Sequence, residues 1–348
     1  MTIAAVGMQI KSFRNEAGLS QEELAIRSGI DRAQLSKIES GLIAGVTYAT
    51  ISRIYDSLGL SLVPMKDIDA PLDIHPFVKW AGGKTQLLET ITAHLPESFN
   101  NYYEPFVGGG ALLFKLQPER FFINDMNEEL ICVYKCLEDD DKFEALKKRL
   151  EEHEKSHSET YYYEVRAMDQ EPGFKNMSDV ERAARMIYLN KAGFNGLYRV
   201  NSKGYFNVPS GKRATVTCYD RKTFDGLRAF FKKNRHIITN CDFEEAVKSA
   251  KAGDFVYFDP PYDTWDDKDS FTSYDKDGFG KEAQARLARV FRELSEKGVY
   301  VMLSNHNTKY INELYDGFHI TVVPAKRMIN SKAEGRGNVE EVLITNYE

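Results

Sequence analysis

The chain has 348 residues, 42% of them hydrophobic and 28% charged, the make-up of a folded protein of two or three domains with a large core. No apolar run approaches the roughly 18 residues of a membrane span, and the start has no basic segment leading into an apolar one, so a cytoplasmic protein without a membrane partner is expected. Net charge is −6, which alone argues against nucleic acid, yet residues 182–235 carry thirteen Lys/Arg against only Asp220 and Asp225, the footprint of a polyanion partner.

Residues 1–65 read as a small helical unit. Ser20 with Glu23 forms a capping-box signature, Leu24, Ala25 and Ser28 continue that helix, and Gly29 stops it. Asp31 with Gln34 repeats the cap, Leu35 and Ile38 face inward, and a third helix runs from near Thr47 to Gly59. Two short helices joined at Gly29-Ile30 are the helix-turn-helix pattern. Through Leu19-Ser20-Gln21-Glu22-Glu23-Leu24-Ala25, Ser36-Lys37-Ile38-Glu39-Ser40-Gly41 and Leu58-Gly59, this unit resembles the phage repressor/Cro-type helix-turn-helix domain. The resemblance implies DNA contacts from the exposed face of the second helix, with Ala33, Gln34 and Lys37 on it. The unit has equal numbers of acidic and basic side chains, so modest phosphate affinity is expected unless it dimerises.

Residues 66–75, among prolines, read as a stiff linker, and from residue 76 the pattern becomes α/β. A strand over 101–104 leads into Pro105-Phe106-Val107-Gly108-Gly109-Gly110 and a helix. The next strand, 121–124, ends at Asp125, and 127–188 is largely helical, with an acidic, solvated stretch over 138–159. His153 and His157 fall in that stretch and form no ligand set, so no metal is expected. A hairpin is expected at 197–208, turning at Asn201-Ser202-Lys203-Gly204, with strands following at 236–239, 255–258, 299–304, 319–323 and 340–345, the last closing the sheet. The four cysteines are too scattered for a disulfide framework and read as reduced packing residues.

The chemistry centres on Asp259-Pro260-Pro261-Tyr262. The apolar run 255–258 reads as a buried parallel strand, and two prolines give the chain one stiff exit from it. A carboxylate is thereby held at the carboxyl edge of the sheet, where open α/β sheets bind ligands. Asp259 and the Pro260 carbonyl can accept the two N–H bonds of a planar amino group, and Tyr262 can stack on its ring. Upstream, Gly108 lets a ligand approach the backbone. Asp125, at the end of the next strand, is placed for ribose hydroxyls. The third glycine of a dinucleotide fingerprint is missing, which points to S-adenosylmethionine rather than NAD. Around Lys79-Trp80-Ala81-Gly82-Gly83-Lys84 a phosphate-loop reading fails, because Val78 stands where that motif needs glycine. A ligand-covering turn remains, with Trp80 packing on the cofactor.

These segments, with Asn190 to Pro209 and the ending from Arg327 to Asn346, resemble in order the DNA adenine-N6 methyltransferases of the Dam type over nearly all of 77–347. The resemblance implies a Rossmann-like S-adenosylmethionine-dependent methyltransferase sheet carrying a helical plus β-hairpin target-recognition insertion at about 128–218 within a domain 76–348. It implies cofactor contacts from Trp80, Ala81, Lys84, Phe106, Gly108, Asp125, Phe243 and Asp259, and duplex DNA as substrate. Lys79 would read the first guanine of a GATC site, Phe194 and Asn195 would enter the duplex beside a flipped adenine, and Leu197, Arg199 and Pro209 would read later base pairs. Phe194 departs from the tyrosine common in the family, keeping the stacking face and losing a hydroxyl. A cognate restriction endonuclease and a dimer through the helix-turn-helix are further partners to expect. Two alternatives stand beside this reading. One is a glutamine or cytosine amino-methyltransferase, whose tetrad usually begins with Asn or Ser. The other is a DNA-binding transcriptional regulator with a cofactor-sensing methyltransferase-like domain.

Overall fold

Alternation along the central strands builds the molecule's larger half. In the run Phe255–Phe258, Phe255 and Tyr257 face one hydrophobic core while Val256 and Phe258 face the other, and all four are buried. A computed structural model describes residues 3–41, 46–60, 72–80, 87–264, 279–326 and 338–348. It divides the chain into two compact units, Met1–Pro71 and Leu72–Glu348.

The first unit contains four described helices: α1 (Ile3–Glu16), α2 (Gln21–Ser28), α3 (Arg32–Glu39) and α4 (Tyr48–Ser57). The capping box of Ser20 and Glu23 is formed, Gly29 ends α2 in the left-handed conformation, and Asp31 and Thr47 cap α3 and α4. Ile10, Leu24, Leu35, Ile38 and Ile54 make its core, and the buried Arg14–Glu39 pair at 2.6 Å ties α1 to α3. Helix α1 is the element that sequence pattern did not expose.

The second unit is a seven-stranded sheet ordered β3-β2-β1-β4-β5-β7-β6, where β1 is Tyr102–Glu104, β2 Arg120–Asn124, β3 Arg235–Thr239, β4 Phe255–Phe258, β5 Tyr300–His306, β6 His319–Lys326 and β7 Asn338–Thr345. Strands β1 to β5 pair in parallel; β7 is antiparallel to both β5 and β6. The fold is therefore α/β with a mostly parallel sheet, as expected, but the last strand does not close an edge. It enters between β5 and β6, since an antiparallel partner needs no crossover helix.

Three other expectations change. Leu72 to His75, expected in the linker, belong to the second unit: Ile74 is core, and Leu72 exchanges two hydrogen bonds with the Gln117 side chain. The rest of the expected linker lies outside the described residues. The stretch at 197–208 runs back on itself through the isolated bridges Val200↔Phe206 and Gly193↔Ser210, without regular strands. The helix Asp140–Ser156 is solvated on one side only, because Phe143, Leu146, Leu150 and His153 are buried on the other. Cys132, Cys136, Cys218 and Cys241 are free thiols, and burial pushes the first three up to about 12. No described helix is long and apolar enough to cross a membrane.

Candidate active site

Strand β4 delivers Asp259 to the carboxyl edge of the sheet, and neighbouring elements hold the turn beyond it. The Ser304 hydroxyl, on β5, donates to Asp259 Oδ1 at 3.1 Å. Gln284 Nε2, on the helix Lys281–Glu296, donates to the Pro261 carbonyl at 2.9 Å. Asn305 accepts from the Asp263 backbone N–H at 2.9 Å and donates to Gln284 at 3.1 Å. The Tyr262 hydroxyl donates to Glu341 Oε2 at 2.9 Å, and its ring meets His306 edge-on at 4.9 Å. Asp263 is buried, held by Lys281 at 2.8 Å and Thr308 at 2.6 Å. The tetrad's exit is thus clamped on several sides, while no described residue donates to the Pro260 carbonyl.

The glycine loop is anchored just as firmly. Asp125 accepts the Gly108 N–H at 3.0 Å and the Asn127 N–H at 2.8 Å, and Tyr134 donates to the Gly108 carbonyl at 2.8 Å. Burial pushes the Asp125 carboxyl up, and those two backbone donors oppose the shift. Gly108 has φ +50°, and a β-carbon there would lie 2.6 Å from Trp80 Cδ1, so Trp80 covers the loop. Phe106 lies 5.5 Å from Phe243 and 5.6 Å from Phe279. Phe243 is itself buried, with the Arg286 guanidinium 4.5 Å above its ring, so it backs Phe106 rather than opening onto solvent. Bare glycines, a pre-set carboxylate and an aromatic wall fit a nucleoside with an amino-acid arm, as in S-adenosylmethionine. Ala81 and Lys84 lie outside the described residues, as do Arg327 to Arg336 of the ending.

Two polar residues that sequence reading left unassigned organise this region. Asn124 donates to the carbonyls of Pro105 and Cys241 and accepts the Cys241 N–H, joining the ends of β1, β2 and β3. Glu104 is fully enclosed beneath the loop and takes the Tyr102 hydroxyl at 2.9 Å. Desolvation, with added repulsion from Asp259 and Asp125, holds its carboxyl well above the usual range.

The residues expected to read DNA fall into one connected segment. Asn190, buried, accepts from the Lys79 N–H at 2.9 Å and donates to the carbonyls of Lys79 and Gly196 at 2.8 Å. Gly196 has φ +67°, and a β-carbon there would sit 2.8 Å from Lys79 Cδ, so Lys79 lies across the Phe194–Gly196 turn. Phe194 is exposed, Asn195 takes a left-handed φ of 55°, and the Pro209 carbonyl accepts the Phe194 N–H at 2.9 Å. Leu197 is half-buried; Arg199 is exposed and donates to Asn207 at 2.7 Å. The basic count overstates the surface. Arg182, Arg185 and Arg228 are buried in ion pairs with Glu128, Glu129 and Asp140 and Lys191 is half-buried, leaving nine of the thirteen exposed, with Arg199, Lys203, Lys212 and Arg213 on and beside the expected reading segment. In the first unit, Lys37 is exposed and Gln34 half-buried on α3.

Comparison with known proteins agrees with this geometry. Residues 80–329 match the D12 class N6 adenine-specific DNA methyltransferases, and residues 10–64 match a helix-turn-helix family. The chain is 44% identical over 276 residues to the type II methyltransferase M1.LlaDCHI of Lactococcus lactis subsp. cremoris, covering 79% of this chain and 96% of that one. It is 39% identical over 292 residues to the type II methyltransferase M.MjaIII of Methanocaldococcus jannaschii, covering 79% and 100%. With the DNA adenine methylase of Escherichia coli (strain K12) the identity is 33% over 271 residues, covering 77% and 93%.

Proposed function

Because the chain belongs to the D12 class of N6 adenine-specific DNA methyltransferases, with a helix-turn-helix unit ahead of it, we propose that it methylates N6 of an adenine flipped out of duplex DNA, within GATC, using S-adenosylmethionine. The observation that carries the proposal is the clamped tetrad: a carboxylate oriented by Ser304 beside a backbone carbonyl with no donor among the described residues. The adenine amino group is a poor nucleophile because its lone pair is delocalised into the ring. Asp259 and the Pro260 carbonyl accept its two hydrogens and draw the lone pair back onto nitrogen. Tyr262, its ring fixed by Glu341 and His306, supplies a stacking wall for the base. S-adenosylmethionine supplies an electrophilic methyl group; Trp80, Gly108, Asp125 and Phe106 would hold it, with Phe243 behind. The methylated nitrogen is acidic and gives up one proton, so Asp259 need not be a strong base beforehand. Positioning and charge stabilisation carry most of the rate.

Lys79, Phe194, Asn195, Leu197, Arg199 and Pro209 are proposed to read the site, which the bridging of Lys79 and the turn by Asn190 supports. The helix-turn-helix is proposed to add DNA affinity or to bind the chain's own promoter through Gln34 and Lys37, alone or as a dimer. The type II names of two relatives make a cognate endonuclease a partner to seek. Sequencing of modified bases in DNA from cells expressing the chain tests base, atom and site together. N6-methyladenine within GATC is expected, lost with Asp259→Ala. Methylation at another sequence would overturn the site assignment, and turnover by Asp259→Ala would overturn the mechanism.

A further inference from the structure

Ser304 is nearly enclosed, directly after the apolar run 300–303 of β5, and its single proton stands between two oxygens. Its Oγ is 2.7 Å from the Tyr257 hydroxyl and 3.1 Å from Asp259 Oδ1. One assignment satisfies every donor. Tyr262 gives its proton to Glu341, Tyr257 gives its proton to Ser304, and Ser304 gives its own to Asp259, since a carboxylate is a stronger acceptor than a phenol. Tyr257 is fully buried on β4, two residues before Asp259, so the chain of hydroxyls starts from a rigid point in the core. We propose that Ser304 is a positioning residue that fixes the rotamer of the Asp259 carboxylate through the relay Tyr257–Ser304–Asp259. Without it, Oδ1 loses the hydroxyl donor that orients it, and the alignment of the carboxylate with the adenine amino group is expected to loosen without changing how DNA binds.

This inference rests on the functional reading above, and the test separates the two. Full-length chain is assayed with a duplex oligonucleotide containing one GATC site and labelled S-adenosylmethionine, comparing parent, Ser304→Ala, Tyr257→Phe and the double variant. Removing a hydrogen bond to a charged group is expected to lower kcat of Ser304→Ala by about 10- to 100-fold while KM for DNA stays within about 2-fold. Tyr257→Phe should lower kcat in the same direction, and in the Ser304→Ala background it should add nothing, because the two hydroxyls act in series. A purely structural role would raise KM along with lowering kcat, or make the two losses multiply; either result overturns the relay. Ser304→Ala at parental kcat overturns it as well, while leaving the functional reading intact. No methyl transfer by the parent overturns that reading and the relay with it.

Discussion

A methyl group added at Gly108 meets two obstacles at once. The left-handed φ of +50° disfavours any side chain, and the new carbon would lie 2.6 Å from the Trp80 ring. The backbone strain alone costs on the order of 1 kcal/mol, and Trp80, half-buried, must swing aside. Gly108→Ala is therefore expected to lower stability by about 1–2 kcal/mol and to weaken S-adenosylmethionine binding at least about tenfold, read by urea denaturation and titration calorimetry. Unchanged affinity would remove the glycine loop from the cofactor site. At this scale the sequence is legible where chemistry is local: Asp259 beside its prolines, and Asp125 seventeen residues after Gly108. Ser304, Gln284 and Glu341 act on the tetrad from 45, 23 and 79 residues away, and no spacing rule covers such distances. The signal in the sequence is indirect: polar Ser304 and Asn305 at the end of the apolar β5 must find buried partners.

The helix Asp140–Ser156 shows the same limit for an element. Its charges dominate the composition, yet Phe143, Leu146, Leu150 and His153 recur at helical spacing and are the face that packs. His153 stacks on Tyr188 at 4.9 Å and bonds to the Tyr161 hydroxyl at 2.9 Å. Burial, with the nearby Arg149 charge, pulls its imidazole down to about 4 from an unfolded value of 6.5. At neutral pH both states are uncharged and nothing is lost. As pH falls below 6.5 the unfolded chain takes up a proton that the folded one refuses, so stability falls until about 4. The total loss is about 3 kcal/mol, of which about 2 has accrued by pH 5. Asp125, Glu104 and Glu129 are pushed up and so act in the opposite sense, losing stability as pH rises, and only a comparison isolates the histidine. His153→Gln should show a flatter loss of stability between about pH 7.5 and 5 than the parent in urea denaturation. Parallel slopes would mean that the imidazole is accessible. The parallel strands are readable because buried runs and glycine stops are local. The 197–208 stretch is less regular than a hairpin pattern implies, because Tyr162 and Asp169 hold its backbone from the helical insertion.

For the whole molecule, coverage of the relatives is informative. Alignments spanning 96% and 100% of two relatives use only 79% of this chain, so the matching unit has about the length of a complete methyltransferase, and the helix-turn-helix comes in addition. The second unit holds the sheet, both of its cores, the tetrad and the proposed reading segment. The first has its own core and its own buried ion pair. Deleting residues 1–65, which leaves Leu72 and Ile74 in place, is therefore expected to keep kcat on a GATC oligonucleotide within about 2-fold. Affinity for longer duplexes should fall, and its salt dependence should become shallower by roughly one unit of slope for each phosphate that the helix-turn-helix neutralises. Residues 1–65 carry as many acids as bases, so that change should be small unless two copies bind together. A large change in slope would favour a dimer, measurable as concentration-dependent sedimentation of the full chain. A fall in kcat on the short duplex, with affinity for long DNA unchanged, would contradict the division of labour, because the helix-turn-helix would then be acting on the reaction rather than on the encounter with DNA.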